Sequence, residues 1–372
     1  MKRKDLVLIT GGAGFIGGHL VDALIGAGYQ VRVLDNLSPP THNDKLPDWF
    51  SKKAEFIKGD VRKKKDWHAA LGGASYVFHL ASYMDYHLDF SKYFDTNVRS
   101  TAFLYEMIIQ NKLPVKKIII ASSQSPYGEG KYYCSRHGVF YAQPRSDAQL
   151  KKHDWGIRCP KDNSIAKILP EIETDELHPQ IPYAISKVAS ESLSLTLGKT
   201  YKIPTVALRY SIVQGSRQSF RHFYSGALRD FTTRALAGLP IVMQEDGEQI
   251  RDFVNVHDAV DAHLLVLKNK NADYKVFNVG SGKSTKVSEL ARTVCRVTGT
   301  TFAPEMAGEF RINSPRNSKM NIDKLKSLGW IPKRKLEDSA REYVDWVRDY
   351  PETINYWQKT YENMRQENIL KR

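Results

Sequence analysis

One stretch near the start of the chain decides the fold: Leu6-Val7-Leu8-Ile9-Thr10-Gly11-Gly12-Ala13-Gly14-Phe15-Ile16-Gly17. It begins as a short apolar run that predicts a β-strand, breaks into glycines, and continues as a predicted helix from Gly18 to about Ala27. Such a turn lets backbone N–H groups and a helix N-terminus face a pyrophosphate. The pattern therefore predicts a dinucleotide site at the first turn of the chain.

A second predicted strand supports this interpretation. Residues 30–34 are apolar at alternate positions and lead into Asp35, where a carboxylate can accept hydrogen bonds from both hydroxyls of an adenosine ribose. Asp35 would repel a ribose 2′-phosphate, so it favours NAD over NADP. The alternative is an ordinary strand–helix–strand unit in which the aspartate only ends a strand.

Further apolar runs recur between helical stretches, at residues 55–60, 76–81, 117–122 and 205–210. Strands that alternate with helices predict an α/β fold with a Rossmann-type, doubly wound parallel sheet covered on both faces. Ligands of such sheets bind at the carboxyl ends of the strands. We therefore expect Asp60 beside the adenine and the Ala81 loop beneath the nicotinamide ribose.

Length and composition limit the remaining function classes. A chain of 372 residues predicts two lobes, because single cores rarely grow beyond about 250–300 residues. The formal charge of +14 comes from scattered lysines and arginines, which argues against a nucleic-acid partner. No apolar stretch approaches the roughly 20 residues of a membrane span, and residues 1–5 lead into the first strand without a secretory segment. With only three cysteines, we expect a cytoplasmic protein.

Three further residues form a candidate catalytic set: Ser123, Tyr183 and Lys187. A tyrosine four residues before a lysine lies on the same helix face, so the ammonium can lower the pKa of the phenol and make it a usable base. Taken singly, Ser123 could cap a turn and Tyr183 could pack in the core. Their combination with the glycine turn and Asp35 favours catalysis.

Together these residues give the chain a family resemblance that covers nearly all of it. It resembles the extended short-chain dehydrogenases/reductases of the nucleotide-sugar epimerase/dehydratase family. The matching segments are residues 10–17, 35–36, 59–61, 79–81, 96–98, 122–128, 182–187, 251–254 and 328–330. The resemblance implies an NAD-binding Rossmann domain over residues 1–213, a smaller nucleotide-sugar lobe over 214–372 that returns to the sheet, and a homodimer formed through the helix after Lys187.

The resemblance also implies a set of binding residues. For NAD these are Gly11, Gly14, Phe15, Ile16, Gly17, Asp35, Asn36, Asp60, Val61, Leu80, Ala81, Ser82, Asn97, Tyr183 and Lys187. For the nucleotide sugar they are Ser82, Ser123, Gln124, Ser125, Arg217, Val242, Arg251 and Arg316. One departure concerns Ile212, which stands where relatives usually have an asparagine that contacts a substrate phosphate.

The reaction predicted is inversion at C4 of a nucleotide diphosphate sugar through a 4-keto intermediate. Dehydratases of the family carry an Asp-Glu pair after the catalytic serine, whereas this chain has Gln124 and Ser125, which do not ionise near neutrality. The alternatives are a dehydrogenase, ketoreductase or dehydratase of the same fold, and a non-catalytic dinucleotide sensor.

A polar, aromatic-rich insertion at residues 131–182 separates Ser123 from Tyr183, and we expect it to lie over the active site as a lid. It contains Cys134, His137 and Cys159, a set of residue types typical of zinc ligands, with Asp162 as a poor fourth. The alternative to zinc is a degenerate knuckle or a lid held by Trp155 and nearby tyrosines.

Overall fold

The computed structural model describes residues 5–42, 44–85, 87–222 and 226–371; residues 1–4, which we expect to lead directly into the first strand, lie outside this part of the chain. In chain order the strands are β1 (Leu6–Thr10), β2 (Gln30–Asp35), β3 (Glu55–Lys58), β4 (Ala74–His79), β5 (Lys117–Ser123), β6 (Lys131–Cys134), β7 (Gly138–Tyr141), β8 (Lys167–Ile168), β9 (Thr205–Tyr210), β10 (Ile212–Gln214), β11 (Val242–Met243), β12 (Ile250–Arg251), β13 (Phe253–Asn255), β14 (Lys275–Val279), β15 (Thr285–Lys286), β16 (Glu305–Met306), β17 (Phe310–Arg311) and β18 (Leu370–Lys371).

The α-helices of the same residues are α1 (Phe15–Gly26), α2 (Lys64–Leu71), α3 (Phe90–Tyr93), α4 (Ser100–Gln110), α5 (Asp147–Lys151), α6 (Pro182–Thr200), α7 (Gly226–Leu236), α8 (Val256–Lys268), α9 (Val287–Thr298), α10 (Asp323–Lys326), α11 (Leu336–Arg348) and α12 (Tyr356–Gln366). A π-helix, Phe94–Arg99, joins α3 to α4. Among these described helices, none combines the length and apolar character that a membrane crossing requires.

A parallel sheet of seven strands forms the centre of the first lobe, in the order β14-β9-β5-β4-β1-β2-β3. The strand order reverses between β1 and β4, which is where doubly wound sheets open a crevice for ligands. The predicted fold class is confirmed. The predicted strands also occur, with ends that differ by up to two residues.

Helices pack on both faces of this sheet, so the side chains that point to either side of a strand are buried. Val7 and Ile9 of β1 pack in one core with residues of α1 and α8. Leu8 lies between them in sequence but packs in a second core with residues of α2 and α4. This is why residues 6–9 of β1 are all apolar instead of alternating with polar residues.

A second lobe follows β9. Its core joins α7, α9 and α11, with α9 packed against both of the other helices. Buried members of this core include Leu228, Leu290 and Tyr343. The chain crosses back between the lobes, since β14 pairs with β9 and forms one edge of the seven-stranded sheet.

The insertion folds into a small antiparallel sheet, β7-β6-β8, around a core that contains Tyr132 and Ile157. Its sequence shows no clear periodicity because the strands are only two to four residues long. The insertion packs on the second lobe, where the Asn317 side-chain amide donates to the Tyr132 hydroxyl at 3.2 Å. Trp155 and Phe310 add an aromatic contact across the same boundary.

Candidate active site

The glycine turn after β1 has the shape that a dinucleotide needs. Gly11 has a φ of 71°, and a Cβ atom there would lie 2.8 Å from the Ala81 backbone nitrogen. A Cβ on Gly17 would lie 2.2 Å from the Gly11 carbonyl oxygen. Since neither position has room for a side chain, helix α1 begins close against β1 and presents its N-terminus at the crevice.

Asp35 ends β2 beside this turn and is 9% exposed. Its Oδ2 accepts a hydrogen bond from the Ala13 backbone N–H at 3.1 Å, and its Oδ1 accepts from the Leu37 N–H at 2.9 Å. Each carboxylate oxygen keeps a further lone pair for a ribose hydroxyl. The turn and this carboxylate therefore fit the adenosine half of NAD.

Asp60 follows β3, and both of its carboxylate oxygens are engaged by the Arg62 guanidinium at 2.5–3.0 Å. Burial raises the pKa of Asp60, but the bonds from Arg62 outweigh it and hold this pKa below its usual range. The Asn36 side chain is also hydrogen-bonded to Asp60. Contact of Asp60 with adenine stays a prediction, and the neighbouring Val61 is buried in the core beneath it.

A buried polar chain supports the loop after β4. The Ala81 N–H donates to Thr10 Oγ1 at 3.2 Å, and the Thr10 hydroxyl lies 2.7 Å from His79 Nδ1. On the other side of the ring, His79 Nε2 lies 3.0 Å from Ser100 Oγ. Burial lowers the pKa of His79 to about 3, so the ring is neutral and fixes the loop with one donor and one acceptor nitrogen.

Asn97 lies within the π-helix and connects this loop to α6. Its Oδ1 accepts from the Ser82 hydroxyl at 3.1 Å and from the Tyr83 N–H at 2.7 Å. Its Nδ2 donates to the Tyr83 carbonyl at 3.0 Å and to Ser186 Oγ at 2.9 Å. π-helical turns often occur at functional sites. The position of Asn97 in such a turn therefore favours a role for this residue in the candidate site.

The three candidate catalytic residues come together at the carboxyl end of β5. Ser123 is the last residue of β5, and α6 begins with Pro182, so Tyr183 and Lys187 lie on its first two turns. The Ser123 and Tyr183 hydroxyls are hydrogen-bonded to each other, and each residue is 9% exposed. Lys187 Nζ lies 5.7 Å from the centroid of the Tyr183 ring and donates to the Ala121 carbonyl at 3.0 Å.

The electrostatics of this group differ from the sequence expectation. Burial raises the pKa of Tyr183 to about 12, and only the hydrogen bond from Ser123 acts in the opposite direction. Burial also lowers the pKa of Lys187 to about 8. The expected lowering of the phenol pKa by Lys187 is therefore not found: burial dominates the pKa of Tyr183, and Lys187 is not among the groups that shift it.

Gln124 and Ser125 extend this group toward the second lobe. The Gln124 side-chain oxygen accepts from the Ser318 hydroxyl at 2.7 Å, and the Ser125 N–H donates to Ser123 Oγ at 3.1 Å. Both side chains stay neutral over the physiological range. Neither can supply the acid or base that an elimination needs.

The predicted substrate residues separate into two groups. Arg251 donates to the Arg316 carbonyl at 2.9 Å, so these two lie together, and Val242 lies on β11 of the same lobe. Arg217 lies elsewhere, against α1, where it pairs with Asp22 at 2.7 Å. Ile212 packs its apolar side chain against the second-lobe core.

Arg316 is already paired. Its Nη1 lies 2.7 Å from Glu245 Oε2 and 2.7 Å from Asp246 Oδ1. Arg145 of the insertion makes a two-pronged ion pair with the same Glu245, at 2.9 Å for each bond. This pair could not be predicted from the sequence, because 100 residues separate Arg145 from Glu245 and neither belongs to a local motif.

The predicted metal ligands also converge. Cys134 Sγ and Cys159 Sγ lie 3.5 Å and 3.4 Å from His137 Nδ1. Asp162 joins them, and one ligand atom from each of the four residues lies within 4.8 Å of the others.

Comparison with known proteins agrees with this geometry. The model of the NAD dependent epimerase/dehydratase family matches residues 7–147 and 160–280. The dTDP-L-rhamnose 4-epimerase of Burkholderia thailandensis is 30% identical over 348 residues, which cover 92% of this chain and 94% of that protein.

Two solved structures share the architecture. The UDP-glucose 4-epimerase of Thermotoga maritima, solved with UDP-glucose, has a TM-score of 0.73 and 30% identity, with 92% of this chain and 99% of that one covered. The Thermus thermophilus UDP-glucose 4-epimerase, solved as a complex with NAD, has a TM-score of 0.72 and 28% identity, with 93% and 99% covered. The chain therefore belongs to the NAD dependent epimerase/dehydratase family.

Proposed function

We propose that this enzyme inverts C4 of a nucleotide diphosphate sugar through a transient 4-keto sugar, with NAD regenerated in each turnover. One observation carries the proposal. Ser123, Tyr183 and Lys187 lie together at the end of β5, and the adjoining Gln124 and Ser125 cannot ionise. This arrangement suits reversible oxidation of an alcohol and lacks the second acid–base pair of an elimination.

The glycine turn and Asp35 would hold the cofactor. Its pyrophosphate would face the N-terminus of α1, and its adenosine ribose would lie at Asp35. We assign the Ala81–Ser82 loop and Asn97 to the nicotinamide end, since Asn97 fixes this loop against α6. When bound, NAD supplies an acceptor and later a donor of the hydride that leaves and returns to the sugar carbon.

The protein side chains would accept and return the hydroxyl proton of the sugar. Tyr183, as the phenolate, takes the proton from the C4 hydroxyl, and Ser123 donates a hydrogen bond to the same oxygen as the C–O double bond forms. The keto sugar would turn over in the site and accept hydride at C4 on its opposite face. Tyr183 then returns its proton to the oxygen, so no proton or electron is gained or lost over the cycle.

Burial of the phenol explains why Lys187 alone does not make Tyr183 a base at neutral pH. Since desolvation raises the pKa of Tyr183 to about 12, a further positive charge close to its oxygen is needed at neutral pH. We propose that the cationic nicotinamide ring provides this charge. The base would then be active only when oxidised cofactor is present, which limits unproductive proton transfer in the free enzyme.

Residues 214–372 would bind the nucleotide diphosphate, with Arg251 as its main cation. Within the part of the chain that the structure describes, Arg251 donates to the backbone carbonyls of residues 250, 315 and 316 and makes no hydrogen bond to a carboxylate. Arg316 would join it only by leaving Glu245 or Asp246. The relatives' names refer to dTDP and UDP sugars, and we therefore propose a pyrimidine nucleotide.

We also propose a cytoplasmic homodimer. The three cysteines are unpaired, which suits a reducing compartment. Phe90, Phe94 and Ile185 are 51%, 42% and 43% exposed, on α3, the following π-helix and α6. Light scattering coupled to gel filtration would give the mass in solution, and a monomer at micromolar concentration would contradict this part of the proposal.

Product analysis tests the function. Purified enzyme is incubated with dTDP- and UDP-hexoses in H₂O and in D₂O, and the sugar configuration is followed by NMR. We expect inversion at C4 with no deuterium at that carbon, because the hydride does not exchange with solvent. Net accumulation of NADH would instead indicate a dehydrogenase, and deuterium at the inverted carbon would indicate deprotonation chemistry.

A further inference from the structure

A cluster of four potential metal ligands lies in the insertion, and none of the steps above uses it. Cys134 ends β6, His137 lies in the turn between β6 and β7, and Cys159 and Asp162 lie in the loop that follows α5. Cys134 and Cys159 are only 1% and 3% exposed. Residues 25 positions apart in the chain thus meet in one place.

The separations of the other ligand atoms from His137 Nδ1 agree with a tetrahedral ion. A zinc ion with Zn–S bonds of about 2.3 Å and Zn–N and Zn–O bonds of about 2.0–2.2 Å keeps its ligand atoms about 3.4–3.8 Å apart. The two sulfur–nitrogen distances, to His137 Nδ1, are 3.5 Å and 3.4 Å. His137 Nδ1 and Asp162 Oδ2 are 3.6 Å apart.

One carboxylate oxygen of Asp162 is available to bind a cation. Its Oδ1 accepts from the Ser164 hydroxyl at 2.7 Å and from the Ser164 N–H at 3.1 Å. Its Oδ2 is buried and accepts no hydrogen bond in the structure. Because a buried carboxylate oxygen that accepts no hydrogen bond is costly, a cation bound to it would reduce the cost.

A basic side chain lies beside the four ligand atoms. The Arg136 guanidinium lies 3.8 Å from Asp162 Oδ2, which offsets the negative charge left when three anionic ligands bind a divalent ion.

We propose that Cys134, His137, Cys159 and Asp162 bind one structural Zn²⁺ ion. Two thiolates and an imidazole select zinc over magnesium or calcium, which prefer oxygen ligands. Four protein ligands leave no open position, so the ion holds structure and does not take part in the reaction.

The consequence of binding is a cross-link within the insertion. The ion joins the β6–β7 hairpin to the loop of residues 159–164. Between these two parts lies Arg145, which pairs with Glu245 of the second lobe. Zinc would thus fix the segment that contributes Arg145 to the second lobe.

Metal analysis tests the proposal on the full-length protein. We expect about one zinc per chain by mass spectrometry after dialysis against metal-free buffer. We also expect that Co²⁺ exchanged into the site gives thiolate-to-cobalt charge-transfer absorption and the intense visible bands of four-coordinate cobalt. Less than about a tenth of an equivalent of zinc, together with no such cobalt spectrum, would overturn the proposal.

Variants separate this cluster from adventitious binding. Cys134→Ser and Cys159→Ser should lose the cobalt charge-transfer bands, whereas Cys295→Ser, which changes the remaining cysteine, should keep them. Asp162→Asn retains three ligands and should weaken zinc binding by roughly tenfold or more. Unchanged zinc affinity in Asp162→Asn would refute Asp162 as the fourth ligand, and loss of the spectrum in Cys295→Ser would refute the site.

A stability measurement gives a second test that does not depend on enzymatic activity. Since zinc binds only the folded site with high affinity, a chelator should lower the unfolding temperature of the wild-type protein and of Cys295→Ser. The same chelator should leave Cys159→Ser unchanged, provided that this variant folds. Equal chelator effects on all three proteins would contradict the proposal.

Discussion

Arg209 and Glu191 form a buried, two-pronged ion pair that fastens α6 to β9. Arg209 Nε lies 3.0 Å from Glu191 Oε2, and its Nη2 lies 2.6 Å from Oε1. The Ser122 hydroxyl donates to the same Oε2 at 2.6 Å. Since Ser122 precedes Ser123 on β5 and Glu191 shares α6 with Tyr183, this pair sets the position of the base relative to the serine.

We predict that Glu191→Gln lowers the free energy of unfolding by about 3–5 kcal/mol, because it leaves the Arg209 guanidinium buried without an anionic partner. Urea denaturation followed by circular dichroism measures the change. Glu106→Gln is the control: it removes an exposed partner of Lys64, and we expect it to cost at most about 1 kcal/mol. Equal losses in both variants would show that burial of the pair is unimportant.

The fold of the first lobe could be predicted from the sequence because the motifs that indicate it are local. The glycine turn, the strand that ends at Asp35, and the Tyr183–Lys187 spacing each lie within one strand–turn–helix unit or one helix. Their side chains reach one crevice because parallel strands end at the same edge of the sheet. The fold class and the family followed from these residues.

Long-range pairs could not be predicted in this way. Arg145 meets Glu245 across 100 residues, and β14 joins the sheet after the whole of α7 and α8. Such contacts depend on how the lobes pack and leave no periodic pattern. The raised pKa of Tyr183 could not be predicted either, since helix spacing indicates that Lys187 is near but does not indicate that the phenol is buried.

Tyr183→Phe should lower kcat for epimerisation by at least about 10²–10⁴-fold, because it deletes the proton acceptor and leaves the ring packing intact. NMR of the sugar products measures the rate. Tyr201→Phe, at the exposed C-terminal end of the same helix, is the matched control and should retain normal turnover. Comparable rates in the two variants would remove Tyr183 from the mechanism.

Asp35→Asn should reduce the preference for NAD over NADP by about tenfold or more, equivalent to about 1.4 kcal/mol. The substitution removes the charge that repels a 2′-phosphate and also one of the two acceptors of the bonds from Ala13 and Leu37. Titration calorimetry with each dinucleotide gives the two affinities. Asp48→Asn, an exposed carboxylate of the same lobe, should leave the ratio unchanged, and an unchanged ratio in Asp35→Asn would place the adenosine ribose elsewhere.

Lys187→Met should abolish epimerisation yet stabilise the cofactor-free protein at neutral pH. Burial lowers the pKa of Lys187 to about 8, whereas an unfolded lysine has a pKa of about 10.4. Between these values the unfolded chain binds more protons than the folded chain, so this lysine makes stability rise with pH. Below pH 8 both states carry the proton, and the full cost of burying the charge is present.

Removing that cost should raise the free energy of unfolding by about 1–3 kcal/mol at pH 7, and the gain should shrink steadily toward pH 10. Urea denaturation of wild type and Lys187→Met at several pH values within this range measures it. Measurements stop at pH 10, because above this pH Tyr183 ionises in the unfolded chain but stays protonated in the folded protein, where its pKa is raised to about 12. This difference lowers the stability of both proteins and would add to the effect of Lys187. A pH-independent difference between the two proteins would mean that Lys187 is not desolvated, and that its charge is available to the phenol without the cofactor.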